Sequence, residues 1–152
     1  MQEELICLQV EEISESSEAL KYLSQKLLKS GAVKENFCDA ILDREKIFPT
    51  GLQFDGYGVA IPHTDSDYVN ENKIAVMTLR EPVTFTQMAT SNQKVNVKLI
   101  IMLAIKNPQM QLDMLQKLIV LLQNANLVNQ ILSYQSHQKQ EVVKLLSNYK
   151  IM

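Results

Sequence analysis

His63 is one of only two histidines in the chain, and its setting, "GYGVAIPHTDSD" at residues 56–67, places a proline before it and hydroxyls and carboxylates after it. Histidine has an ordinary pKa near neutrality, so a free ring nitrogen can serve as nucleophile or base. Pro62 fixes its own φ and drives Ile61 toward extended geometry. His63 therefore falls where a strand gives way to a loop, a common position for sites in open α/β sheets. Thr64, Asp65, Ser66 and Asp67 can hold one ring N–H and leave the other nitrogen free, or they can cap a turn. An isolated histidine is more often packing or surface than chemistry, so the case depends on its company.

Two other polar residues fall on helical faces that should be buried. In the segment 34–48, Phe37, Ile41 and Phe48 mark an inward stripe, and Arg44 lies on it. A guanidinium there must meet a carboxylate, snorkel to the rim or bind an anion; Asp39 and Glu45 are the structural partners at hand, and spacing favours neither outcome. In the segment opening at Asn107, Leu115, Leu118 and Leu122 set the buried face, and Gln111 shares it in the first turn. Free N–H groups and the positive dipole end suit a phosphate, with Gln111 as one more donor. A core amide bonded to backbone is the plain alternative.

Together, His63, Arg44 and Gln111 suit phosphoryl transfer, in which catalysis is mostly positioning and electrostatic stabilisation. Neither a GxxxxGK[ST] loop nor a glycine-rich kinase loop accompanies them, so the expected donor is another phosphoprotein rather than a nucleotide. His137, within the polar "SYQSHQKQE", reads as a solvated helix-end residue with no role.

The elements needed to position these residues alternate along the chain. Strands are expected at 5–10, 73–83 and 95–105, with "VAIPH" short and extended and "PTGLQFDGYG" a turn or hairpin. The continuous apolarity of "VNVKLIIMLAI" predicts a strand covered on both faces, at the centre of the sheet. Helices are expected over 16–31, ended by Gly31, over 34–48, from Asn107 with Pro108 in its first position, and within about 125–134 and 137–149. The fold expected is α/β: a mixed sheet of about five strands flanked by helices on both faces, in one domain spanning 1–152.

Composition narrows the partners. A formal net charge of -2 leaves no basic field for nucleic acid. The longest apolar run, "LIIMLAI" at 99–105, is far short of the ~20 residues of a membrane span, and "MQEEL" is unlike a signal peptide. A cytoplasmic protein without membrane insertion is expected, and the Met1 start favours a separate subunit. Cys7 and Cys38 lie far apart without a CxxC, as free thiols do, and no metal site is expected.

The segment "REKIFPTGLQFDGYGVAIPH" resembles the active-site region of the fructose/mannitol-type enzyme IIA domains of the sugar phosphotransferase system. The likeness runs nearly the whole chain, through the N-terminal strand and helix to the helix opening "NPQMQLDML". It implies that His63 accepts a phosphoryl group from phospho-HPr and passes it to a cysteine of enzyme IIB, which serves a membrane enzyme IIC. It matches Arg44 to the family's arginine and Thr50 to its turn threonine, and requires no cofactor or metal. Gln111 stands where many members carry a second histidine, a departure that, with "FPTG", is similar to the galactitol-type branch. The implied mechanism is attack by neutral His63 through Nε2, with Arg44 balancing charge, Gln111 donating a hydrogen bond, Thr50 and Thr64 in support, and Asp65 or a backbone carbonyl orienting the ring. Two other readings stay open: a regulatory module that uses the phosphohistidine as a signal, and an interaction domain in which His63 is inert.

Overall fold

The computed structural model describes residues 3–151. Five strands, β1 (Ile6–Val10), β2 (Gly51–Phe54), β3 (Tyr57–Ala60), β4 (Lys73–Thr86) and β5 (Lys94–Ala104), form one mixed sheet in the order β1-β4-β5-β3-β2. β1 runs parallel to β4, β4 antiparallel to β5, β5 parallel to β3, and β3 antiparallel to β2. β5 holds the centre, as expected; its 99–104 half is buried on both faces, whereas Lys94, Asn96 and Lys98 of its first half are exposed.

Each face of the sheet has its own core. Met77, Ile100 and Met102 point to one side, where they meet Leu20, Leu23 and Leu27 of α1 (Ser16–Lys29) and Phe37 and Ile41 of α2 (Phe37–Ile47). Val76, Leu99 and Ile101 point to the other, toward α3 (Pro108–Leu121), α4 (Ala125–Ser133) and α5 (Lys139–Asn148), where Leu118, Val128 and Leu146 are buried. This period-2 division of one strand between two cores is what an α/β/α arrangement requires. No helix among the described residues is long and apolar enough to cross a membrane.

The ends of the helices follow local chemistry. Gly31 takes φ +82, which lets the Ala32 N–H turn back to the Leu27 carbonyl at 3.1 Å and closes α1. The Asn107 side chain accepts the Met110 N–H at 3.0 Å with Pro108 in the first position, so α3 starts as the sequence predicts.

Several boundaries differ from expectation, among them the start of α2 at Phe37 rather than 34, and two of them bear on the site. α2 stops at Ile47, and Phe48, at φ -123 and ψ 80, swings out with 59% of its surface exposed. The inward stripe therefore ends at Arg44. β4 continues to Thr86, three residues beyond its expected end, so the β4–β5 hairpin carries its turn past Gly51. A Cβ on Gly51 would stand 2.6 Å from the Thr86 carbonyl oxygen, and the Gly51 carbonyl accepts the Met88 N–H at 2.7 Å. Glycine follows Thr50 because another strand passes directly over it.

Candidate functional site

His63 follows the end of β3 on a backbone tied down on both sides. The Ile61 N–H donates to the Thr50 carbonyl at 3.2 Å, and the Pro62 carbonyl accepts the Leu103 N–H of β5 at 3.0 Å. The ring turns back on this frame, with Nδ1 2.9 Å from the Ile61 carbonyl oxygen. A carbonyl can only accept, so Nδ1 carries the proton and Nε2 keeps its lone pair. Burial pushes the imidazole pKa below its usual value; the Ile61 bond works against this and the positive charge of Arg44 adds to it. The ring is neutral at pH 7.

Of the orienting groups expected from sequence, the backbone carbonyl is the one in place. Asp65 is exposed, and the contact to Nδ1 comes from Ile61. Thr64 is buried, and its carbonyl accepts Nε2–H of Gln111 at 3.0 Å. Gln111 thus reaches the site through the residue after the histidine. The other end of its amide, Oε1, is buried with no protein partner.

Arg44 occupies the last turn of α2, where the helix dipole favours a cation. The guanidinium carbon sits 4.9 Å from the centroid of the Phe48 ring, a cation–π stack that replaces the inward packing expected of that phenylalanine. Neither Asp39 nor Glu45 pairs with it; among the described residues the one ion pair joins Arg80 to Glu11 at 2.6 Å on the surface. The Arg44 Nε is buried and has no protein partner. A buried cationic donor left open in this way is suited to an anion.

Glu45 turns to Thr50 instead. Its Oε2 accepts the Thr50 N–H at 2.8 Å and its Oε1 accepts the hydroxyl at 2.7 Å. Burial pushes the carboxyl up to about 7, against the downward pull of the Thr50 bonds and of Arg44.

His63 and Arg44 line one cleft of about 890 Å³, together with Phe48, Thr50, Met88 and Leu115. The β4–β5 turn, through Met88 to Asn92, forms one wall. Sequence reasoning missed that wall, because "MATSN" has only the polarity of an ordinary turn. It considered Glu45 solely as a partner for Arg44, and the signal that could have found the clamp was a carboxyl five residues before a turn threonine.

By architecture and cleft this is a three-layer α/β/α domain with a neutral, backbone-held histidine facing an unpaired arginine. The family model for the phosphoenolpyruvate-dependent sugar phosphotransferase system, EIIA 2, matches residues 1–149, and the chain belongs to that family. Such components are phosphotransferase proteins. The chain is 31% identical over 125 residues to the galactitol-specific EIIA component of the phosphotransferase system of Escherichia coli strain K12, covering 82% of this chain and 83% of that one. The crystal structure of IIA mannitol from Escherichia coli superposes with a TM-score of 0.76 at 24% identity, covering 96% of this chain and 98% of that one. The same fold occurs in the Escherichia coli mannitol enzyme IIA in complex with phosphorylated enzyme IIB, at a TM-score of 0.75 and 24% identity, covering 97% of each chain.

Proposed function

We propose that this protein is the phosphoryl-relay subunit of a sugar or polyol phosphotransferase system, with His63 carrying the group. The observation that carries the reading is the Ile61 carbonyl on Nδ1, which leaves Nε2 unprotonated in a cleft shared with the unpaired Arg44. The Nε2 lone pair attacks the phosphorus of phospho-HPr, a nitrogen–phosphorus bond forms, and the bond from phosphorus to the donor breaks with its electrons leaving on the donor. No proton has to depart from Nδ1, and the positive charge gained by the ring is stabilised by the Ile61 carbonyl. Arg44 faces the incoming phosphoryl oxygens.

In the second step a cysteine thiolate of enzyme IIB attacks the same phosphorus. His63 leaves as neutral imidazole with Nδ1 still protonated, so a good leaving group is built into the resting tautomer. Thr50 steadies the cleft wall, Thr64 supplies the carbonyl that fixes Gln111, and exposed Asp65 lies at the rim where partners meet the chain. The membrane enzyme IIC of the system is a partner only indirectly, through enzyme IIB, from which the group passes to the sugar. Likeness to a galactitol-specific component, with Gln111 and "FPTG", supports a polyol of that type as the cargo.

Incubation with phosphoenolpyruvate, enzyme I and HPr should add one phosphoryl mass, and His63→Ala should abolish the gain. Addition of a galactitol-type enzyme IIB should then discharge the protein. No mass gain with active upstream proteins overturns the proposal; charging without discharge to any enzyme IIB favours a regulatory module instead.

A further inference from the structure

Glu45 has no part in the mechanism above, yet it is the only acid of α2 given a hydrogen-bonded place next to the cleft. Its side chain lines a separate hollow at the foot of the sheet, where the charged neighbours are Lys46 on its own helix and Lys94 on β5; Ser16 and Ser17 face it from α1, and Arg44 precedes it along α2. Both carboxyl oxygens are spent on Thr50, at 2.8 Å and 2.7 Å. The Thr50 carbonyl accepts the Ile61 N–H at 3.2 Å, and the Ile61 carbonyl faces His63 Nδ1 at 2.9 Å. An unbroken series of hydrogen bonds therefore joins Glu45 to the histidine ring, and its middle members are main-chain groups of a single turn and strand end.

We propose that Glu45 is a positioning residue for His63: by clamping Thr50 at both its N–H and its hydroxyl, it fixes the Ile61 carbonyl and through it the plane and tautomer of the imidazole. The proposal rests on the reading of His63 as phosphoryl acceptor, because only a nucleophile needs its lone pair aimed. Residues 48 to 50 leave α2 without regular structure, and a turn of this kind drifts unless something returns it to the helix. Glu45 does so across five residues. A displacement of the reacting atom by about 1 Å is enough to lower a transfer rate on the order of 100-fold.

The clamp does not depend on the charge of Glu45. When the carboxyl is protonated, Oε1–H can donate to a rotated Thr50 hydroxyl while Oε2 still accepts the N–H, so both bonds survive. Glutamine reproduces that protonated pattern, with its amide N–H on the hydroxyl and its oxygen on the N–H. Alanine removes both. The two substitutions therefore separate aiming from charge.

The test reads the two ring nitrogens of His63 by nitrogen-15 NMR in the full chain, alongside the rate of phosphorylation by phospho-HPr. In the wild type, Nδ1 should show the protonated pattern and Nε2 the unprotonated one. Glu45→Ala should bring the two signals toward each other as the tautomers mix, and lower the maximal transfer rate about 10- to 100-fold with little change in the KM for the donor. Glu45→Gln should keep the wild-type tautomer and most of the rate. A folded Glu45→Ala protein with the wild-type tautomer overturns the proposal. Should that variant fail to fold, Thr50→Val, which removes one of the two clamp bonds, is read the same way: partial mixing supports the proposal and an unchanged ring pattern overturns it. The ring signals need no phosphoryl donor, so a wild type that accepts nothing from phospho-HPr defeats the relay while the fate of Glu45 is still decided by NMR.

Discussion

At the end of α2, Arg44 brings a buried Nε–H with no protein partner to the cleft of His63, whereas at the start of α3, Gln111 spends Nε2 on the Thr64 carbonyl and leaves a buried acceptor, Oε1, open instead. An open cationic donor is complementary to a phosphoryl group, and an open amide oxygen is not. The helix ends differ in the same sense. The C-terminal dipole end of α2 suits a cation without consuming the hydrogen bonds of Arg44, while the N-terminus of α3 has already given the Met110 N–H to the Asn107 side chain. Sequence reasoning left Arg44 open between an ion pair and an anion, and Gln111 open between a phosphate donor and a core amide; under the proposed relay, the bonding favours α2 for the anion and a supporting role for α3.

Substitution tests that division most directly. Arg44→Ala should lower phosphoryl transfer by about 100-fold, the usual cost of removing a donor aimed at developing charge, and Arg44→Lys should recover only part of it because an ammonium lacks the planar fork. Steady-state transfer assays would show this, and a Gln111 variant that proves the more damaging of the two would break the comparison.

Titration separates the ends as well, since the α2 side carries Glu45 and the α3 side an amide that does not titrate. Glu45 is raised from 4.5 to about 7, so between those values the folded state keeps a proton that the unfolded chain has lost. Its contribution to stability therefore falls as pH rises from about 4.5 through about 7. Glu45→Gln should remove this slope and gain about 2 kcal/mol on the wild type between pH 5 and pH 8, measured by denaturant unfolding at each pH. His63 has the opposite sign. Burial lowers its pKa, so its neutral, phosphoryl-accepting ring should persist to lower pH than that of an ordinary histidine.

Smaller effects belong to α3. Gln111→Leu should reduce transfer by less than about 10-fold, through a looser Thr64 carbonyl. Asn107→Ala should cost about 1 kcal/mol of stability from the lost cap and leave the transfer rate within about two-fold. A large kinetic loss from either would return anion binding to the α3 terminus.

How much of this could be read in advance depended on how local the cause was. The 99–104 half of β5 was legible because a strand segment buried on both faces must be apolar throughout, and the start of α3 because Asn107 and Pro108 act on their own backbone. The inward turn of Arg44 was legible from helical spacing. Phe48 was not, since a period of 3.6 says nothing beyond the residue where the helix stops, and the chain leaves the helix there. The Glu45 clamp and the Met88–Asn92 wall were hidden for another reason: each depends on a return of the chain, one from Pro49 back onto α2 and the other from β4 across Gly51, which leaves no periodic mark.

The unpartnered Nε of Arg44 has a thermodynamic consequence. A buried donor without a protein partner gains up to about 1–3 kcal/mol when a ligand satisfies it, and that gain belongs to the state in which the ligand is bound. The charged and discharged forms of the protein should then differ in melting temperature, with phosphorylation raising it by roughly 2–4 °C for each kcal/mol recovered. The same free energy must be surrendered when the group moves on. Under the proposed relay, Arg44 would then set how reluctantly the protein gives up its load, and the balance between holding and releasing could be read from a melting curve as well as from a rate.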